Sequence, residues 1–75
     1  MVSIDRKTIG KKLRELREQR GESVSDLGKQ IGVSESTIYM YEQGERMPRD
    51  AVKVLLIKHF GISSDFFFDS KSHLK

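Results

Sequence analysis

Between Ser23 and Gly44 the chain places two helix start signals and two stop signals so close together that neither helix can stand alone. Ser23-Val24-Ser25-Asp26 is a capping box with Asp in place of the usual Glu or Gln, and the helix it opens runs through Leu27 and Ile31 to Gly32. Ser34 opens the next helix, Ile38 and Tyr41 face inward three residues apart, and Gly44 closes it ahead of Pro48. Helices below ~12 residues are marginal in water, so both depend on tertiary packing. Two helices meeting at ~90–120° across a short turn need a residue without bulk where their backbones approach, and Gly28 supplies it. Gly32 supplies the turn, where positive φ costs glycine almost nothing. Leu27, Ile31, Val33, Ile38 and Tyr41 then point to a common core. Any small bundle has short helices divided by glycines, but the joint spacing of these residues makes 24–43 a helix-turn-helix pattern.

The remaining segments are also helical, and no strand alternation competes with them. Asp5 is the N-cap of a first helix with Ile9, Leu13 and Leu16 on one face and Gly21 as its left-handed end. Arg49 or Asp50 opens a fourth, 51–60, which is apolar over most of its circumference and reads as the buried central helix. A fifth, of one or two turns, runs from Ser63 or Ser64 through Phe66-Phe67-Phe68. The expected architecture is all-α, five helices in one domain over 1–69, with 70–75 a frayed tail. A chain of 75 residues holds one domain, and its lack of cysteine excludes disulfides and thiolate zinc sites.

Its 36% hydrophobic and 33% charged residues fit a soluble helical domain. The longest apolar run, 54–57, is far short of the ~20 residues of a membrane span. The N-terminus lacks the apolar stretch and cleavage site of a secretory signal, so the expected compartment is the cytoplasm. A net charge of +3 suits a nucleic-acid partner, yet it is unevenly spread. Residues 1–20 carry a net +4, 21–50 carry −3 and 51–75 carry +2. A polyanion-binding role has to account for that acidic middle.

The motifs together resemble the Cro and phage-repressor (Xre-type) helix-turn-helix family over residues 9–68. The resemblance is carried by Ile9-Gly10-Lys11-Lys12-Leu13-Arg14-Glu15-Leu16-Arg17, by Gly21, by the 24–43 unit, by Tyr41 through Asp50, and by Phe60-Gly61-Ile62-Ser63 with the phenylalanines that follow. The Pro-Arg-Asp junction and the terminal Phe-Phe resemble a branch found in low-GC Gram-positive bacteria and their mobile elements. The resemblance implies a compact five-helix, lambda-repressor-like DNA-binding domain whose third helix, 34–43, lies in the major groove while the second crosses the backbone.

By position, Glu35, Ser36 and Met40 then meet base edges. Glu35 accepts only, from cytosine N4 or adenine N6, or else serves as a cap at the helix N-terminus. Ser36 donates or accepts. Met40 suits a thymine methyl or, alternatively, fills core. Family members often carry Gln or Arg at such positions, and Val24 stands where many have a polar contact, so direct readout is sparse. Thr37 and Tyr39 flank toward phosphate or sugar. Ser23 and Ser34 open helices whose free N–H groups suit phosphate, and Lys29, Gln43, Arg46 and Arg49 could reach the flanking strands or stay solvated surface groups.

In the family, an Arg on the first helix pairs with a Glu late in the third, and Arg17 and Glu42 match those positions. The family also dimerises on DNA through its fifth helix and nearby loops, which here carry Phe66, Phe67 and Phe68; all three rings packed internally is the plainer alternative. The function implied is a sequence-specific transcriptional regulator, in the repressor role, bound to double-stranded DNA as a homodimer on a palindromic operator, with a regulatory protein as a further partner. The alternative is a protein-interaction module, such as an antitoxin, using the C-terminal apolar patch. An enzyme is the weakest reading. His59 and His73 have no carboxylate or cysteine at ligand or catalytic spacing and read as surface histidines, and no phosphate-binding glycine loop occurs. No cofactor, metal, membrane or small-molecule substrate is expected.

Overall fold

The computed structural model describes residues 5–63, which form four helices: α1 (Arg6–Gln19), α2 (Val24–Ile31), α3 (Glu35–Gln43) and α4 (Asp50–Phe60). Among the described residues there is no strand. The expected fifth helix, the three phenylalanines 66–68 and the tail 70–75 lie outside them.

Each of the first three helices starts on a side-chain cap. Asp5 accepts from the Thr8 N–H at 2.7 Å, and Ser23 accepts from the Asp26 N–H at 2.9 Å while the Asp26 carboxylate accepts from the Ser23 N–H at 3.4 Å, which completes the reciprocal box. Ser34 accepts from the Thr37 N–H at 3.2 Å. The fourth helix opens at Asp50 with Arg49 as N-cap and no side-chain cap hydrogen bond. Gly32 ends α2 and Gly44 ends α3 in the left-handed region, with φ of 74° and 79°.

The core is one cluster of Ile9, Leu13, Leu27, Ile31, Ile38, Tyr41 and Leu56. Leu16 and Val33, assigned to the core from their spacing, are half-buried. Two glycines set how closely the layers approach. A Cβ on Gly28 would stand 2.5 Å from the Val33 carbonyl oxygen, so α2 can fold back on the turn only because that position is bare. A Cβ on Gly10 would overlap the Tyr41 and Glu42 carbonyl oxygens, the latter at 2.6 Å, so α1 lies directly on the backbone of α3.

One expectation is overturned. The fourth helix is not the buried central helix: Leu56 is its one buried residue, and Val54 and Leu55 are 49% and 43% exposed. The physical reason is the order of packing. The main contacts join α1 to α3 and α2 to α3, and α4 meets α2 along one side, so that among the described residues its far side is not packed against another helix. No helix among the described residues is long and apolar enough to cross a membrane.

Candidate nucleic-acid interface

The third helix has one face committed to the core and one free. Ile38 and Tyr41 are buried, and at ~100° per residue Ser36, Tyr39, Met40 and Gln43 fall on the opposite side, with Glu35 and Thr37 at its edges. Ser36 and Gln43 are exposed, Tyr39 is 53% exposed, and Met40 is half-buried, intermediate between the two roles open to it.

The start of this helix is organised by hydroxyls. Ser34 Oγ lies 2.7 Å from Thr37 Oγ1 and 3.3 Å from Ser36 Oγ, besides accepting the Thr37 N–H. The third residue of the helix, where a reciprocal box would need an acid or amide, is Thr37, so Glu35 is not a box partner. Glu35 is exposed and its carboxylate makes no hydrogen bond among the described residues. Its charge favours the positive end of the helix while its carboxylate stays free to accept from a ligand.

Behind the free face, α3 is fixed by an ion pair. Arg17 Nε donates to Glu42 Oε2 at 2.6 Å and Arg17 Nη2 to Glu42 Oε1 at 3.1 Å, a two-point contact between side chains only 12% and 5% exposed. The third donor, Arg17 Nη1, reaches the Glu22 carbonyl oxygen at 2.8 Å. The hydrogen bond with Glu42 raises the guanidinium pKa further above its ordinary value, so Arg17 stays charged. One side chain of α1 thereby holds both α3 and the turn leading into α2.

The acidic middle of the sequence is largely spent within the fold. Glu42 is held by Arg17, Asp26 by the capping box, and Asp50 lies 3.8 Å from Lys53. Glu22 accepts from Arg20 Nε at 3.3 Å and has His59 Nε2 at 2.8 Å. That leaves the carboxylates of Glu35 and Glu45 without a hydrogen bond or ion pair among the described residues, against the side chains of Lys29, Arg46 and Arg49, which are exposed and equally uncommitted there. Ser23 is exposed too, with its hydroxyl in the α2 cap.

His59 corrects the sequence reading. It is not a partnerless surface histidine but packs edge-on to Phe60 at 4.9 Å and joins α4 to the α1–α2 turn through Glu22. The two lie 37 residues apart, so no spacing rule could pair them. The Gly10 contact and the Glu22 anchor were likewise missed; a glycine inside an otherwise good helical pattern was the available signal for the first. Among the described residues no group of His, Asp and Glu could hold a metal ion.

A family model for a helix-turn-helix domain matches residues 8–65. A Pyrococcus furiosus protein named for an HTH-type transcriptional regulatory role is 41% identical over 51 residues, covering 68% of this chain but only 16% of that protein. The restriction-modification controller protein C.AhdI of Aeromonas hydrophila superposes with a TM-score of 0.75 at 27% identity, over 83% of this chain and 94% of its own. An HTH_3 family transcriptional regulator of Vibrio cholerae superposes with a TM-score of 0.73 at 28% identity, over 92% of this chain and 39% of its own. The chain belongs to the helix-turn-helix domain family, in its Xre-type group.

Proposed function

We propose that this chain is a cytoplasmic, sequence-specific DNA-binding regulator of transcription that represses without catalysis. It lays α3 in the major groove, with Glu35, Ser36 and Met40 at base edges. Ser23, Lys29, Ser34, Thr37, Tyr39, Gln43, Arg46 and Arg49 lie along the phosphate strands. The observation that carries this reading is the free, solvent-facing side of α3, held from behind by the Arg17–Glu42 pair and flanked by uncommitted cations. The two-point ion pair presents that face in one fixed orientation, which base readout requires.

One module of this size touches few base pairs, so specificity calls for a second copy on a half-site about one helical turn away. The exposed Val54 and Leu55 on α4, followed in sequence by Phe66, Phe67 and Phe68, supply apolar surface for that homodimer. Selection of bound duplexes from a random pool tests the reading. It predicts an enriched palindrome with centres one turn apart, and a pool that stays random would refute it.

The same apolar surface favours a second reading, a protein-interaction module in which DNA is incidental. Salt separates the two, because several phosphate contacts make affinity fall steeply with ionic strength. No salt-dependent binding to any duplex would favour the module.

A further inference from the structure

We propose that the first two turns of α1 are an additional phosphate-contact site, at the far end of the recognition helix; this rests on the reading of α3 as the groove helix. If the N-terminal end of α3 enters the groove, nine residues at ~1.5 Å carry its other end ~13 Å away, comparable with the ~12 Å groove width and so near a phosphate strand. That end is ill suited to an anion by itself. It bears the negative pole of the helix dipole, and α3 has no basic residue in its last turn.

The missing cations come from α1. Lys7 lies against Gly44, where an added Cβ would stand 2.7 Å from Lys7 Cγ and 2.9 Å from Lys7 Cα. Arg6 and Lys7, with Asp5, Thr8 and Gly44, line an open cleft at this junction. Lys11 follows one turn on, along the same side of α1 as Lys7. Arg6, Lys7 and Lys11 are exposed, and none of their side chains is tied in a hydrogen bond or salt bridge among the described residues. Arg14, next on that stripe, is instead paired with Glu18 at 3.1 Å, which closes the patch. The one acid lining the cleft, Asp5, has its carboxylate turned to the Thr8 N–H as the α1 cap, where it also feels the charge of Lys7. Arg6 and Lys7 at the cleft beside the carbonyl pole, offset only by Asp5, with Lys11 one turn further along α1, fit the backbone of a duplex running past the end of α3.

The test is a salt titration of binding to a short random-sequence duplex, followed by fluorescence anisotropy between about 50 and 200 mM salt. The Arg6→Gln/Lys11→Gln double variant is compared with the wild type and with Arg46→Gln/Arg49→Gln. Lys7 is left in place because its stem packs on Gly44. Each lost phosphate contact lowers the slope of log affinity against log salt by about 0.9, so the α1 variant should lose about 1.8 with an unchanged melting temperature. Its preference for a selected duplex over a scrambled one should also be unchanged. A wild-type slope in the α1 variant, with a reduced slope in the Arg46/Arg49 variant, would overturn the α1 site while leaving DNA binding intact. Failure of the wild type to bind any duplex would overturn both.

Discussion

Arg17 shows how one side chain can settle the geometry of a whole interface. Its guanidinium spans Glu42 on α3 and the Glu22 carbonyl before α2, so both halves of the helix-turn-helix take their position from α1. Removing one partner of a buried pair strands the other charge, at about 3–5 kcal/mol. Glu42→Ala should therefore destabilise the fold by about 3 kcal/mol. Glu45→Ala, at an exposed site with no partner among the described residues, should change stability by less than about 0.5 kcal/mol. Equal melting temperatures for the two variants would contradict this account. The pair was legible from the sequence because the resemblance supplied both positions. The Glu22–His59 contact was not, since it joins residues with neither a local pattern nor a family motif to link them.

At the scale of elements, the caps and stops were readable because they are local: a hydroxyl or carboxylate three residues ahead of an N–H, or a glycine where φ turns positive. Asp5 adds a pH dependence to α1. The Thr8 N–H holds its carboxyl below the ordinary carboxylate range, so folding favours the ionised form. The stabilisation is present above the ordinary value and is lost as pH falls through the lowered one. Melting curves of wild type and Asp5→Ala should differ at neutral pH and converge in acid; a gap that persists at low pH would mean that the charge plays no part. Close approach between elements is less legible, because it depends on where another chain segment passes. Gly10→Ala should gain about 1 kcal/mol of helix propensity and still lose stability, since the new methyl meets the Tyr41 and Glu42 carbonyls. Gly21→Ala strains a residue at φ 70° but meets open space. Thermal melting should rank Gly10→Ala as the more damaging, and the reverse order would argue against the tight α1–α3 seam.

At the scale of the whole molecule, two global properties change meaning once the fold is known. The central acidity read from the sequence as a barrier to phosphate, yet most of those carboxylates hold caps and ion pairs, and only Glu35 and Glu45 stay uncommitted among the described residues. Net charge by segment could not reveal this, because it counts charges without their partners. The apolar circumference of α4 read as burial, but among the described residues the helix is packed on one side, and Val54 and Leu55 on it are exposed. Hydrophobicity around a helix identifies surface that needs covering, without specifying whether the same chain covers it.

The central claim is that the free face of α3 reads DNA sequence while the rest of the domain positions it and contributes no base reading. It is tested most directly by the ratio of affinities for a selected duplex and its scrambled counterpart, measured for Ser36→Ala and Met40→Ala. Each lost base contact is worth ~1–3 kcal/mol, so each variant should lower that ratio by roughly fivefold or more while melting like the wild type. An unchanged ratio in both variants would contradict the account.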